Sequence, residues 1–135
     1  ATIPVAQISV QPGQGAAHHL AVGRALAPLR KDGVLVLASG AATHNLGDFG
    51  RYALNAAPAP YAAEFDRWLR DAIEEGRSDD LVHYRQRAPL AERNHPSEEH
   101  LLPLFVALGA GTAKGRQIHA SFTYGVLSMA AYAFD

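Results

Sequence analysis

The apolar residues of this chain fall into short runs and helical stripes, and the turn residues between them divide it into alternating elements. Residues 4–10 (PVAQISV) are rich in β-formers and predict a strand, closed by the turn cluster at 11–15. Over 16–31, Leu20, Leu26 and Leu29 recur at helical spacing. That helix must absorb Gly23 and Pro28, so a kink is expected near Pro28, with Gly33 as its stop. Residues 33–37 (GVLVL) are continuously apolar and predict a strand buried on both faces, as in a parallel sheet. A loop at 38–46 then leaves the carboxyl end of that strand, and 48–60 reads as a longer loop with Pro58 and Pro60. A helix follows over 61–75, with Phe65, Trp68, Leu69, Ala72 and Ile73 on one face and Gly76 as its stop. Ser78 is expected to cap a short helix through Leu81, Val82 and Tyr84. Ser97 is expected to cap another, with Glu98 and Glu99 in its first turn, 101–108 as its body, and a bend at Pro103. Residues 109–115 read as a loop, and 117–124 and 126–134 as late strands. The pattern has no repeat or linker and describes one α/β unit.

Composition narrows the functional classes. The chain has 135 residues, 48% hydrophobic and 19% charged, enough for one domain with a sizeable core. Twelve Lys and Arg against thirteen Asp and Glu give a net charge of −1, which leaves no electrostatic footprint for nucleic acid. No apolar run approaches a membrane span, and no signal segment is present, so a soluble, cytoplasmic protein is expected. With no Cys, disulfides and thiolate metal sites are excluded. The chain opens on Ala1-Thr2-Ile3-Pro4, and its single Met is Met129, which suggests a fragment or a cleaved chain.

Seven histidines are the main candidate chemistry. His18 and His19 sit at a helix start, and His83 and His119 in regular elements, where an imidazole is ordinarily a surface or satisfied core group. His44 lies on the loop at a strand end, the usual ligand position of open α/β sheets. Its neighbours Thr43 and Asn45 are able to orient an imidazole by hydrogen bonding. His95 and His100 bracket Pro-Ser-Glu-Glu. Five positions along a helix turn the second ring roughly 140° from the first, so at most one of them faces a given metal. Glu98 and Glu99 are hard-ligand options, though first-turn carboxylates more often serve the helix dipole. The Gly- and Lys-containing stretch 109–115 lacks the P-loop order. Ser39 lacks the first Gly of a nucleophile elbow.

Three stretches together carry a resemblance. Ser39-Gly40-Ala41-Ala42-Thr43-His44-Asn45-Leu46 resembles an SGxxTHNL loop, and residues 95–104 (HPSEEHLLPL) resemble HPTEEHFLPL. Tyr124-Gly125-Val126-Leu127-Ser128-Met129, with Tyr132 and Phe134, resembles YGxLSMxxYxF. In this order and spacing the chain resembles the C-terminal half of the LigB-type (class III) extradiol dioxygenases, in the branch of DOPA 4,5-dioxygenase. The connecting sequence (GRALAPLRKDGVLVL, then FDRWL) extends the likeness over all 135 residues.

The resemblance implies an α/β/α sandwich around a parallel or mixed sheet, of which residues 1–135 form the C-terminal portion of one catalytic domain. It implies cleavage of a DOPA-like catechol by dioxygen at a non-haem Fe(II), with zinc in some members. His44 is then the acid/base residue or a ligand at the metal's edge, and His100 a metal ligand. His95, Thr43, Asn45 and Tyr124 are expected to support the site or touch substrate. Two further His ligands come from an N-terminal half in this family, so a missing half or a second chain is the expected partner. The competing readings are a metal-dependent hydrolase, a non-catalytic metal-binding relative on the same fold, and a small-ligand or interaction module. Dependence on Fe(II) and catechol separates the first two from a dioxygenase, and metal content separates the third.

Overall fold

The computed structural model describes residues 2–135. Its first helix, α1 (Gly15–Leu26), passes at Ala27–Asp32 into a 3₁₀ turn with Pro28 near its start. The kink expected at Pro28 is this change of pitch, and Gly33, at φ 79°, ends it in the left-handed region. Helix α1 lies across α6 (Leu102–Ala110), and the crossing is tight because Gly23 and Gly109 face one another's backbones. A Cβ on Gly23 would meet the Val106 carbonyl, and one on Gly109 the Leu20 carbonyl.

Helix α2 (Pro60–Glu75) buries Tyr61, Ala62, Phe65, Leu69, Ala72 and Ile73 along one face and stops at Gly76, at φ 74°. Three short helices follow: α3 (Ser78–Val82), α4 (Tyr84–Arg87) and α5 (Ala91–Asn94). The main core forms where Phe65, Leu69 and Ile73 meet Leu81, Tyr84, Leu101, Leu102 and Phe105. Two small antiparallel ladders close the chain: β1 (Arg116–His119) pairs with β4 (Ala131–Ala133), and β2 (Phe122–Thr123) with β3 (Leu127–Ser128).

Helices and strands combine as expected of an α/β chain, but several expected elements differ. Residues 4–10 and 34–38 form no strand and pair in no ladder among the described residues. The strand expected at 33–37, buried on both faces, is therefore not present. Val36 and Ala38 are half-buried, whereas Leu35 and Leu37 are each 83% exposed. Ile3 and Val5 stand as open, and Ile8 is also exposed. Extended backbone becomes a strand only where another strand accepts its hydrogen bonds, and here none lies alongside. The ladders that do form are antiparallel, and the late strands are broken into two-to-four-residue pieces.

Residues 96–101 form turns, so α6 starts five residues beyond Ser97, and Pro103 occupies its first turn without bending it. Glu98 and Glu99 accordingly precede the helix. Ser78 opens α3 without capping it by a side-chain bond, and the helix yields to α4 at His83. No helix of the described residues is long and apolar enough to cross a membrane.

Candidate active site

The loop at 39–46 is laid against the turn at 94–100 through Gly40, Ala41, Ala42 and His44. Gly40 approaches so closely that a Cβ there would collide with the His100 carbonyl. The Ala41 N–H donates to that carbonyl at 2.7 Å, and the His44 N–H donates to the Asn94 carbonyl at 2.9 Å. His95 Nε2 reaches the Ala42 carbonyl at 2.9 Å. Thr43, wholly buried, donates from its hydroxyl to the Val126 carbonyl at 2.9 Å and accepts from the Ser128 N–H at 2.7 Å. Two separate parts of the chain, 94–100 and 126–128, thereby converge on one loop.

The result is a pair of stacked imidazoles. The rings of His44 and His100 lie 3.5 Å apart between centroids, with their planes 20° from parallel. Both are partly open to solvent, and Glu99 Oε1 stands 3.6 Å from His100 Nε2. Burial, followed by the neighbouring His100, lowers the His44 pKa below the ordinary imidazole value. His44 is therefore held neutral at pH 7, the form needed both to accept a proton and to ligate a metal. The donor chemistry, imidazole with a carboxylate beside it, fits a borderline cation such as Fe(II) or zinc. The number does not suffice: among the described residues no three His, Cys, Asp or Glu side chains gather to hold an ion. Stacked rings also carry their lone pairs in nearly parallel planes, so both cannot aim at one ion in this pose.

The supporting residues sort themselves differently from the expectation. Helical spacing does not separate His95 from His100, because a turn joins them. His95 is fully buried between Phe65, at 5.5 Å, and Tyr84, at 6.3 Å between ring centroids, and so is out of reach of a substrate. Since its Nε2 donates to a carbonyl, its Nδ1 carries the lone pair, and that atom has no partner. Burial pushes the His95 pKa down to about 4. Thr43 and Asn45 hold the loop, and neither bonds to the His44 ring. Asn45 instead turns to Asp48 and Tyr61. Tyr124 adopts φ 52°, rare for a residue with a side chain, and packs edge-on to Phe49 at 4.7 Å. Its N–H donates to the Leu54 carbonyl, so it buttresses the 47–57 loop. Glu98 accepts from the Tyr84 hydroxyl at 3.0 Å, leaving Glu99 as the carboxylate beside His100.

Sequence reasoning missed a cluster behind the site. Asp48, read only as the start of a loop, is buried and accepts from Tyr61 Oη at 3.0 Å, and Arg93 lies 3.9 Å over the Tyr61 ring. The hydrogen bond from Tyr61 is the main reason the Asp48 carboxyl lies below the usual range. Burial, reinforced by the Asp48 charge, raises the Tyr61 phenol to about 12. Asn45 and Asp48, three apart after the histidine, were the available signal of a self-bonded turn.

Residues 1–135 match the family described as the catalytic LigB subunit of aromatic ring-opening dioxygenase. A 4,5-DOPA dioxygenase extradiol of Portulaca grandiflora is 48% identical over 99% of this chain and 50% of its own length. The protein of that name from Escherichia coli K12 is 34% identical over 82% of the chain and 41% of its own length. A crystal structure of an uncharacterized protein from Escherichia coli K12 superposes with a TM-score of 0.78 at 27% identity, covering 92% of this chain and 52% of that one. The chain thus spans about half the length of the curated relatives it matches.

Proposed function

Since the chain belongs to the LigB family of aromatic ring-opening dioxygenases, we propose that it carries the His44–His100 side of an extradiol site that opens a catechol-type, DOPA-like ring with dioxygen. The stacked imidazole pair, 3.5 Å apart at the end of a pinned loop, is the observation that supports this most. His100 is the residue that would hold the metal from this side, with Glu99 near it. When bound, a non-haem Fe(II) would supply the redox centre at which catechol and dioxygen meet, whereas redox-inert zinc in its place would supply only a Lewis acid for the catechol. His44 then takes the proton from a catechol hydroxyl. Its lowered pKa leaves a ring nitrogen unprotonated at pH 7 to accept that proton. His95 and Thr43 fix the loop that presents the base, and Tyr124 shores up the rim.

The remaining ligands and the remaining half of the sandwich belong, in this reading, to the part of the relatives' length that the chain does not span. The open faces at Leu35, Leu37, Ile3 and Val5 are where that part would pack. The test is His44→Ala in the full-length protein. Formation of the yellow ring-opened product should fall by about 10², the scale of general acid–base catalysis. Near-normal turnover would remove His44 from the chemistry. Catechol-independent metal binding with no oxygen uptake by the parent protein would favour the non-catalytic reading instead.

A further inference from the structure

The His44 imidazole makes no side-chain hydrogen bond among the described residues, so its orientation rests on its backbone and on the stack with His100. What holds that backbone lies on the far side of the loop. Asp48 Oδ2 accepts from Tyr61 Oη at 3.0 Å, Asn45 Nδ2 at 3.2 Å and Arg93 Nη2 at 3.3 Å. A carboxylate 7% exposed is costly unless it is paired and hydrogen-bonded, and three donors on one oxygen meet that condition. Arg51 reaches the other oxygen at 3.0 Å but is 72% exposed and adds little. Two of the three main donors lead back to His44 by different routes. Asn45 is its covalent neighbour. Arg93 is the neighbour of Asn94, whose carbonyl accepts the His44 N–H at 2.9 Å. The links close into a ring: His44, Asn45, Asp48, Arg93, Asn94 and back to His44. Tyr61, anchored in α2, fixes the ring to the core from beneath.

We infer that Asp48 is a positioning residue: its carboxylate closes a hydrogen-bonded ring around the His44 backbone and thereby sets the imidazole against His100. The inference deepens the dioxygenase reading and rests on it for its purpose, but the geometry is testable without metal, substrate or turnover. Asp48 bonds to Tyr61, Asn45 and Arg93 rather than to either imidazole and has no direct part in the chemistry.

The test uses the protein with its histidine rings labelled with ¹³C and ¹⁵N, comparing the parent with Asp48→Ala, Asp48→Asn and Tyr61→Phe. Circular dichroism and thermal unfolding report whether the fold persists. In folded Asp48→Ala the ring-current shifts and inter-ring NOEs of His44 and His100 should be lost, while those of buried His95 against Phe65 remain. Asp48→Asn keeps an acceptor for Tyr61 and should lose only part of the signal, as should Tyr61→Phe. A folded Asp48→Ala with unchanged His44–His100 signals overturns the inference. If Asp48→Ala does not fold, Asn45→Ala cuts the same ring while leaving the Asp48–Tyr61 and Asp48–Arg93 contacts, and the same criterion applies to it. Loss of turnover in the parent protein would sink the dioxygenase reading and leave this geometry standing. An intact stack in the variants would do the reverse.

Discussion

At the scale of the residue, His95 shows how one imidazole serves a site without entering it. Its Nε2–H bond to the Ala42 carbonyl ties the 39–46 loop to the 94–100 turn, and full burial keeps it neutral. The pH dependence follows. An unfolded His titrates near 6.5 and the folded one near 4, so between these values the unfolded chain binds more protons. Stability is therefore complete above about pH 7 and is lost as pH falls from 6.5 toward 4, by about 3 kcal/mol from this group. Urea midpoints at pH 7.0, 5.5 and 4.5 should show that slope. His95→Gln retains a donor for Ala42 and should flatten it. An equal slope in the variant would assign the loss to other groups. His44 and His100 were legible as candidates because the motif spacing marks them, and the structure stacks their rings. Asp48, Tyr61 and Arg93 were not, since their partnership spans 45 residues and depends on a loop's path that no local pattern encodes.

The elements repeat this division between local and distant causes. Gly33 and Gly76 end their helices where expected, because a left-handed stop is a property of a few adjacent residues. The α2 stripe is legible for the same reason. The 34–38 run has the β-formers of a strand, yet its pairing depends on another strand. The turn at 96–101 replaces a helix start because the 39–46 loop claims the His100 carbonyl and needs room above it. The α1–α6 crossing belongs with the distant causes. Gly23 weakens the helix pattern by about 1 kcal/mol relative to Ala, and the structure explains its presence by contact with the Val106 carbonyl and the Ala110 backbone. Gly23→Ala should therefore lower stability despite its better helix propensity. Two backbones cannot give way as a flexible side chain would, and the net cost should be about 1–3 kcal/mol. A raised melting temperature in that variant would mean that the helices separate freely.

For the whole molecule, the decisive feature is what the described residues leave open. The core around Phe65 and Tyr84 is closed, whereas Leu35 and Leu37, each 83% exposed, alternate with the half-buried Val36 and Ala38. Such alternation is what a sheet strand shows when one of its faces is uncovered. Ile3 at 86% and Val5 at 90% are likewise exposed apolar side chains. The metal side is open in the same sense: His44 and His100 converge, but a third ligand does not, while a non-haem iron site of the two-His, one-carboxylate kind uses three on one face. Both gaps lead to one expectation for the 135 residues taken alone. Purified by themselves and given Fe(II) anaerobically, they should not hold iron stoichiometrically. On addition of a catechol and oxygen they should give no yellow product, and in sedimentation they should self-associate through the open face. Leu35→Lys with Leu37→Lys should reduce that association without unfolding the core. Adding the other half of a relative's domain should restore iron binding to the unsubstituted chain and fail with the lysine variant. A monomer that binds one iron tightly and turns over catechol would show that the His44–His100 side is sufficient by itself.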